Sequence, residues 1–383
     1  MRIGIDARTI LNPAEEEAPG IGHYASQLIR HLFEIDKKNQ YVLFFDRRVN
    51  DRDISQYKKA KVEIKYFPFH QYKKFLPGIY SEMLITASLK KEKLDVFHSP
   101  KHSIPSTYRN KNLITVHDLA TFKHPKLFSR KRISQSKKAL SATLKRCQKI
   151  IAVSESTKND LNEIFKIPKR KIEVVYNGLD RIFFSPPREE EMRKVLNKYK
   201  VKGKYILFLG TLEPRRNIPR LLEAYASLKR KESLDYQLVL AGKEGWLASE
   251  FKQMVSDFDL RKEVIFTGYV PPKELNSLIR KAEIFVSPSI YEGFGMPVIE
   301  AMACGVPVIT SNVSSLPEIA GEAALFVSPY DIGGLAGTIR RLLRDKKLQV
   351  ELKEKGQKQA RQFSWPKCAQ ETLKVYEGLK KSK

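Results

Sequence analysis

Short apolar runs alternate along the chain with longer segments of helical spacing. In the first half the runs at residues 2–6, 41–45, 94–98, 112–116, 149–153 and 172–176 are predicted strands. A second series follows at residues 205–210, 236–242, 263–268, 282–288, 306–310 and 324–329. Strands that alternate with helices are typical of parallel sheets covered by helices. We therefore predict an α/β protein with two Rossmann-like, doubly wound domains that face each other across a cleft.

The two series also predict the domain limits. A chain of 383 residues is longer than one ordinary core requires, which favours two domains. The charged, proline-bearing segment 181–203 separates the series and is the predicted linker. We expect a first domain over 1–180, a second over 204–364, and a final amphipathic helix over 365–383. Ligands of such sheets bind beyond the carboxyl ends of the strands, so ligand-binding residues are expected directly after each strand.

The stretch "YEGFGMPVIEAMACGVPVI" follows one of these strands, at residues 291–309. Pro297 suits the first position of a helix and Gly305 the position past its end, so we predict a helix over 297–304. The free N–H groups at a helix N-terminus bind phosphate, and Gly293 and Gly295 let the backbone approach such a ligand closely. The stretch therefore predicts a phosphate site.

Two acids flank this site, Glu292 in the loop and Glu300, which is expected in the first helical turn. An ionised carboxylate only accepts hydrogen bonds, so its natural partners beside a diphosphate are the hydroxyls of a ribose or a hexose. For Glu300 alone, a favourable charge near the helix N-terminus is the plain alternative. The whole stretch favours a nucleotide sugar as ligand.

Adjacent cations follow the strand at 205–210, in "GTLEPRRN". Arg215 and Arg216 can offset the charge of a diphosphate and stabilise the charge that develops on a leaving group. Ordinary surface charge is the alternative. Their position directly after a strand end favours the diphosphate role.

The first domain offers a second group of candidates. His117 and Asp118 end the predicted strand at 112–116; His117 can hydrogen-bond a donor hydroxyl or a developing charge, or be a satisfied buried histidine. Gly20 and Gly22 begin a G-x-G-x-x-A pattern. However, the dinucleotide fingerprint places its glycines directly after a strand, and thirteen residues separate Asp6 from Gly20. That fingerprint is therefore not predicted.

No metal or disulfide is predicted. The three cysteines are scattered, without C-x-x-C spacing. Residues 51–53 match an Asp-x-Asp metal motif, but they lie in a basic loop and are interpreted as solvated charge. His98 and His102 are separated by Pro100, which forbids a shared helix. A loop that lines the acceptor site is the functional alternative for these histidines.

The chain is strongly basic, with a net charge of +27 and a pI near 9.8. Such a balance favours nucleic acid, an anionic membrane face or phosphorylated ligands as partners. Residues 56–80 and 122–140 interleave Lys and Arg with aromatic and leucine side chains, as a solvated surface or a peripheral membrane patch would. No nucleic-acid-binding module accompanies the charge, so nucleic acid is not an expected partner. No run approaches a membrane span and the start is unlike a signal peptide, so we expect a cytoplasmic protein.

The pattern E-G-F-G-x-P-x-x-E-A-M-A resembles the Glu-x7-Glu motif of family 4 retaining glycosyltransferases, which have the GT-B fold of two Rossmann domains. The resemblance extends over almost the whole chain, through "GIGHY" (20–24), "HDL" (117–119), "GTLEPRRN" (210–217) and "LPEIAGEAALFVSPYD" (316–331). The family usually has Arg-Lys where this chain has Arg215-Arg216. The charge is kept, but a planar guanidinium changes the contact geometry.

The resemblance implies roles for individual residues. Glu300 would contact the nucleotide ribose, and Glu292 would hold the donor sugar. The implied catalytic residues are Glu292, His117, Arg215 and Arg216. The implied donor-binding residues are Gly20, Gly22, Gly210, Thr211, Arg215, Arg216, Gly293, Phe294, Gly295, Met296, Pro297 and Glu300. The implied acceptor residues are His98, Asp118 and Tyr24.

The resemblance also implies an activity. The chain would be a retaining hexosyltransferase that requires a nucleotide sugar, no other cofactor and no metal. "GTLEPR" is similar to bacterial mannosyltransferases of surface-polysaccharide synthesis, which favours GDP-mannose as donor and a saccharide or lipid-linked saccharide as acceptor. UDP-glucose and other UDP-sugars stay open, as does a sugar-nucleotide 2-epimerase of the same architecture. Retention calls for a covalent intermediate or a same-face route assisted by the leaving diphosphate. The resemblance favours the second, with Glu292 positioning the sugar. A lipid-linked acceptor would give the basic-aromatic patches a purpose and would place the protein peripherally on the inner face of the cytoplasmic membrane.

Overall fold

The computed structural model describes residues 1–10, 20–46, 54–67, 78–128, 130–232, 234–245 and 247–381. The Asp-x-Asp match at 51–53 and residues 68–77 of the basic stretch 56–80 lie outside these ranges. The chain forms two compact units. Unit 1 consists of Met1–Gly178 and Trp365–Lys383, and unit 2 of Leu179–Ser364.

The strands, in chain order, are β1 (Arg2–Asp6), β2 (Gln40–Asp46), β3 (Val62–Phe67), β4 (Val96–Ser99), β5 (Asn112–Val116), β6 (Lys149–Ala152), β7 (Ile172–Val174), β8 (Tyr205–Leu209), β9 (Gln237–Ala241), β10 (Val264–Gly268), β11 (Ile284–Ser287), β12 (Val308–Ser311) and β13 (Ala324–Val327).

The helices, in chain order, are α1 (Ile21–Ile35), α2 (Gly78–Lys91), α3 (Ala120–Lys123), α4 (Arg130–Arg146), α5 (Glu155–Phe165), α6 (Glu189–Lys198), α7 (Ile218–Glu232), α8 (Ala248–Asp257), α9 (Pro272–Arg280), α10 (Met296–Ala303), α11 (Leu316–Ala320), α12 (Ile332–Arg344), α13 (Lys346–Ala360) and α14 (Trp365–Lys381).

Unit 1 has one parallel sheet in the order β3-β2-β1-β4-β5-β6-β7. The order reverses at β1, where Ile3 pairs with Tyr41 of β2 on one side and Val96 of β4 on the other. The six strands predicted in this half are present. The strand at Val62–Phe67 is not among the predicted ones, because its "VEIKYF" sequence alternates apolar with charged residues at a half-exposed sheet edge and resembles basic surface.

Both faces of this sheet are covered. Leu43 and Phe45 join a core with Leu28 of α1 and Tyr376 of α14. Side chains on a strand alternate between faces, and Phe44 accordingly joins the opposite core, to which α2, α4 and α5 contribute Leu89, Leu144 and Leu161. Helix α14 therefore covers one face of the first sheet, although the second unit separates it from that sheet in the sequence.

Unit 2 has a second parallel sheet in the order β10-β9-β8-β11-β12-β13. All six strands predicted in this half are present. The segment expected as a linker, 181–203, carries α6 and belongs to this unit. Asn276 Nδ2 of α9 donates to the carbonyl oxygens of Ile182 and Ser185 at 2.7 and 2.9 Å, which attaches the segment to the unit. In the described part of the chain, no helix is both long and apolar enough to cross a bilayer.

Candidate functional site

The loops after β8 and β11 carry the main charged cluster of unit 2. These strands are neighbours in the sheet although their sequences are far apart. Pro214–Arg216 forms a 3-10 turn after β8, and Glu292 lies five residues beyond the end of β11. The backbone joins the loops directly, since Ile290 N donates to Arg215 O at 2.8 Å. Parallel strands thus bring the predicted cations and the predicted acid together.

Glu292 is buried, with 5% of its surface exposed, and both of its oxygens have partners. Oε2 lies 3.0 Å from Arg215 Nη1. Oε1 pairs with Arg216 Nη1 and accepts a hydrogen bond from Ser289 Oγ at 2.9 Å. Arg215 Nε also lies 2.6 Å from Glu213 Oε1. Two arginines and two carboxylates therefore neutralise one another in this cluster.

Two serines hold the loop that follows Glu292. Ser314 Oγ accepts from Glu292 N at 3.0 Å. Ser315 Oγ lies 2.9 Å from the carbonyl oxygen of Glu292 and 2.8 Å from that of Phe294, so one hydroxyl hydrogen is shared by both. These serines follow β12, and the sequence analysis did not single them out. In the sequence, this role is indicated only by two adjacent serines that follow the predicted strand 306–310.

The short helix after this loop is α10, at Met296–Ala303, one residue earlier than predicted. Gly295 caps it in the left-handed region, with φ 106°, where a side chain is strained. Pro297 occupies the second helical position. Glu300 lies in the second turn and not, as predicted, in the first, because the helix starts before the proline. Glu300 is half-buried, while Gly293 and Phe294 are buried.

Asn217, which sequence analysis also missed, ties three strand ends together. It follows the arginines, is 2% exposed and has φ 62°. Its Nδ2 donates to Pro288 O at 2.9 Å and to Pro329 O at 2.6 Å. Pro288 follows β11 and Pro329 follows β13. The side chain therefore fixes the arginine turn against the ends of β11 and β13.

The remaining predicted residues of unit 2 lie at the same edge. Gly210 and Thr211 follow β8; Thr211 is exposed, and a Cβ on Gly210 would lie 3.2 Å from Arg216 Nε. Beyond β9 and β10, Lys243 Nζ lies 4.8 Å from the ring centroid of Tyr269. Tyr269 is 45% exposed and offers an aromatic side chain at the sheet edge.

In unit 1, Tyr24 and His117 are in contact. The Tyr24 ring meets the His117 ring edge-on, with 4.7 Å between centroids, and its hydroxyl lies 3.2 Å from Thr115 Oγ1. Tyr24 is on α1, which begins after Gly20 and has Gly22 in its first turn. Asp118 follows His117 and accepts from Ala120 N, the first N–H of the short helix α3, at 3.1 Å.

His98 lies beneath this pair and not on the surface. Its side chain is 0% exposed. Nδ1 bonds the Tyr376 hydroxyl at 2.7 Å and Nε2 bonds Thr115 Oγ1 at 2.9 Å. His98 was expected to contact an acceptor, but no atom of its side chain is exposed in this structure. Its ring is hydrogen-bonded to Thr115, which in turn contacts the Tyr24 hydroxyl.

The hydrogen bonds of His117 fix its tautomer. Nε2 lies 2.8 Å from Pro100 O, which only accepts, so Nε2 carries the hydrogen. The backbone N–H of His117 donates to His102 Nε2 at 3.1 Å, so that nitrogen is unprotonated. Burial lowers the pKa of His117 to about 4, that of His98 to about 3, and that of His102. All three rings are therefore neutral at pH 7.

A charged cluster at the end of β1 escaped the sequence analysis. Asp6 is 1% exposed; its oxygens accept from Arg8 Nε and Nη2 at 2.8 and 2.7 Å and lie 3.6 Å from Lys101 Nζ. Burial opposes ionisation, but Lys101 and Arg8 outweigh it and lower the pKa of Asp6 to about 2. In the sequence, this cluster is indicated only by a single acidic residue, Asp6, at the end of a strand.

In the described ranges, no three or more His, Cys, Asp or Glu side chains are grouped to hold a metal ion. The charged groups of unit 2 suit a different ligand. Two guanidinium groups can bind a diphosphate, and the buried carboxylate beside them can accept hydrogen bonds from hydroxyls.

Family models and known relatives match the chain. A model of the glycosyl transferases group 1 matches residues 188–359, and a model of Glycosyltransferase Family 4 matches residues 19–182. The chain is similar to O-antigen chain mannosyltransferase B of Escherichia coli, with 30% identity over 375 residues, 96% of this chain and 98% of the relative.

Solved structures share the fold. A sucrose-phosphate synthase from Thermosynechococcus elongatus superposes with a TM-score of 0.77 at 22% identity, covering 99% of this chain and 98% of that one. Anabaena HepE, in complex with UDP and glucose, superposes with a TM-score of 0.76 at 17% identity, covering 99% and 100%. The chain thus belongs to the family 4 retaining glycosyltransferases with the GT-B fold, enzymes that transfer a hexose from a nucleotide sugar.

Proposed function

We propose that this enzyme transfers mannose from GDP-mannose to a saccharide or lipid-linked saccharide acceptor. The observation that carries the transfer itself is the pairing of Arg215 and Arg216 with Glu292 at one sheet edge. The support for mannose is the E. coli relative, whose name describes a mannosyltransferase of O-antigen chains.

The proposed donor site lies in unit 2. Arg215 and Arg216 bind the diphosphate, together with the backbone at Gly210 and Thr211. Glu292 and the loop through Gly295, with Met296 and Pro297, hold the sugar, and Glu300 accepts from the ribose hydroxyls. The exposed ring of Tyr269 beside Lys243 supplies a stacking face for the base.

The proposed contribution of unit 1 centres on His117. The neutral ring presents Nδ1 as its acceptor, because Nε2–H is bonded to Pro100 O. It accepts a hydrogen bond from a substrate hydroxyl, while Asp118 and the glycine turn at Gly20 and Gly22 contact substrate beside it. Tyr24 holds the His117 ring edge-on, and His98 fixes Tyr24 through Thr115.

The proposed reaction follows the same-face route. The bond between the sugar and the diphosphate breaks first, and the arginines stabilise the charge on the leaving diphosphate. The acceptor hydroxyl attacks the face just vacated and passes its proton to a diphosphate oxygen. Glu292 cannot readily attack the sugar, because both of its oxygens face guanidinium groups.

A thermal-shift panel of GDP-mannose, UDP-glucose, ADP-glucose and the free nucleotides tests the donor. A ligand that binds only the folded protein raises its melting temperature by mass action. We expect the largest shift with GDP-mannose. A larger shift with UDP-glucose would contradict GDP-mannose as the donor and favour a UDP-sugar, whereas the proposed glycosyl transfer would still stand.

Product analysis tests the reaction class. A transferase releases GDP only when an acceptor saccharide is present, and the new linkage keeps the anomeric configuration of the donor. A sugar-nucleotide 2-epimerase forms a new nucleotide sugar without any acceptor. Release of such a product would overturn the transferase proposal.

The acceptor and the charge of the chain lead us to place this reaction at the inner face of the cytoplasmic membrane. A net charge of +27 draws the protein to anionic lipid. The three cysteines are buried and unpaired, which suits a reducing compartment. Cell fractionation tests this; recovery of the protein wholly in the soluble fraction at low salt would contradict it.

A further inference from the structure

Helix α2 presents an apolar face to solvent. Tyr80, Met83 and Leu84 are 54%, 53% and 45% exposed, and Ala87 is exposed as well. Residues with the spacing i, i+3, i+4 and i+7 share one side of a helix. Of the eight large apolar side chains that are exposed among the described residues, these three are the only ones on one helix face. The face is therefore a continuous stripe.

The rest of α2 is anchored to unit 1. Leu89 is buried in the core beneath the helix. Thr86 Oγ1 lies 2.6 Å from Thr107 Oγ1, and Glu82 accepts from Ser106 N at 3.1 Å. Because the inner side is fixed, the apolar stripe is held outward in a packed element.

The surroundings of the stripe are basic. Glu82, the single acid of α2, is bonded to Ser106, and the last turn carries Lys90 and Lys91. Helix α4 covers the same face of the sheet, since Leu144 shares a core with Leu89. Its 17 residues, "RKRISQSKKALSATLKR", contain seven basic and no acidic residues. The sequences of the two helices therefore hold no further acid that could balance this charge.

Both helices have a defined direction. Helices that connect parallel strands run back against them, so their first turns lie near the carboxyl ends of the strands. Tyr80 and Met83 are in the first half of α2. The apolar stripe therefore lies toward the sheet edge that carries His117.

We infer that the stripe formed by Tyr80, Met83, Leu84 and Ala87 docks on a lipid bilayer with anionic headgroups, with α4, on the same face of the sheet, as the electrostatic contact. An apolar helix face with an aromatic residue and flanking lysines is typical of helices that lie in a membrane interface. The basic residues of α4, which we call the basic flank, favour an anionic surface. The inference rests on the proposed function, since it deepens the proposed action at a membrane and names the surface that makes contact.

Vesicle co-sedimentation of the full chain tests it, with phosphatidylcholine alone or mixed with phosphatidylglycerol, in the absence of donor and acceptor. We expect wild type to bind only the mixed vesicles. The double variant Met83→Glu/Leu84→Glu is expected to bind at least about tenfold more weakly, because carboxylates oppose both insertion and anionic lipid. Val350→Glu, at a 57% exposed helix position of unit 2, is the matched control and should bind as wild type.

A second variant addresses the basic flank without touching the stripe. Lys137→Glu/Lys138→Glu changes two exposed residues of α4. We expect a loss of at least about fivefold per lysine at low salt that shrinks at high salt. Wild-type binding by both double variants would overturn the inference, as would an equal loss in the Val350 control.

Two further measurements distinguish lipid docking from self-association and from a failure of the proposed transfer. If the stripe instead joined two copies of this chain, sedimentation without lipid would show a dimer that Met83→Glu/Leu84→Glu disrupts, and the inference would be overturned. Transfer from GDP-mannose to a water-soluble saccharide should be unchanged in the docking variants. Absence of transfer in wild type with vesicle binding intact would refute the proposed function and support the membrane surface.

Discussion

The carboxylate of Glu292 is the counter-ion of Arg215, with 3.0 Å between Oε2 and Nη1. Its other oxygen pairs with Arg216. An incoming diphosphate would share these guanidinium groups with a buried carboxylate. Under the proposed function Glu292 would therefore do more than accept sugar hydroxyls: it would also set how strongly the arginines attract the donor.

Glu292→Gln is expected to separate donor binding from transfer. The amide removes a negative charge beside the diphosphate, so donor affinity should stay the same or increase. The rate of transfer should fall by about 100-fold or more, the cost of removing a group that positions charge in a transition state. Calorimetric titration with donor and initial rates with saturating acceptor measure the two effects.

Glu213→Gln is the matched control for that variant. Glu213 also faces Arg215, 2.6 Å from Nε, but it is not in the loop that follows β11. We expect a similar change in donor affinity and a much smaller loss of rate. A glycosyl adduct on Glu292, found by mass spectrometry of the wild-type enzyme, would contradict the same-face route.

Some of this site could be predicted from residues alone. Arg215 and Glu292 each follow a predicted strand, and parallel strands place such residues at one sheet edge. The ion pair itself could not be predicted, because it depends on the order of strands. β8 lies beside β11 although two other strands separate them in the chain. Asn217 was missed for the same reason, since its partners follow β11 and β13.

The first half of the chain was harder to interpret. Asp6 was noted only as a strand end, because its partners Arg8 and Lys101 come from two different loops. The expectation for His98 rests on a loop after the predicted strand 94–98 that would line the acceptor site. The two residues differ because His98 lies within β4 and bonds Tyr376 of the distant C-terminal helix, whereas His117 comes after the end of β5.

Asn217→Asp is expected to impair both folding and catalysis. The substitution places a carboxylate oxygen where Nδ2 now donates to two carbonyl oxygens, at 2.9 and 2.6 Å. Leaving buried polar groups unpaired costs about 1–3 kcal/mol, and more for a charged group. We expect a lower unfolding midpoint and, in the folded enzyme, a raised KM for the donor as the arginine turn loosens.

Asn197→Asp is the control for this variant, because Asn197 is exposed on α6. It should change neither the midpoint nor the donor KM. A purely structural role of Asn217 would lower the midpoint and leave the donor KM at its wild-type value, which would argue against positioning of the arginines.

Acid should destabilise unit 1 through its buried histidines. Burial chiefly lowers the pKa of His98 to about 3 and that of His117 to about 4, whereas histidine in an unfolded chain titrates near pH 6.5. Below about pH 6.5 the unfolded chain therefore binds protons that the folded chain does not. Stability falls as pH drops from there, by up to about 1.4 kcal/mol per pH unit for each histidine.

His98→Gln tests the histidine origin of this pH dependence. An amide can replace both hydrogen bonds of the ring without titrating. Between pH 6.5 and 5 the variant should lose about 2 kcal/mol less than wild type in urea unfolding. Asp6, whose pKa is lowered to about 2, does not titrate in this window. Identical pH dependence in both proteins would assign the acid sensitivity to other groups.

Gly178→Ala should destabilise the protein at the point where the chain leaves unit 1. A Cβ there would lie 2.2 Å from the backbone nitrogen of Trp365, the residue with which the chain returns. Because backbone cannot yield as a flexible side chain can, we expect a loss of about 1–3 kcal/mol or more in urea unfolding.

Gly337→Ala is the control for this substitution, since apart from the neighbouring backbone of α12 no atom lies within 4 Å of its Cβ position. That variant should gain up to about 1 kcal/mol from helix propensity, so the two substitutions are expected to have opposite signs. Equal effects would mean that the contact between Gly178 and Trp365 is not tight in solution.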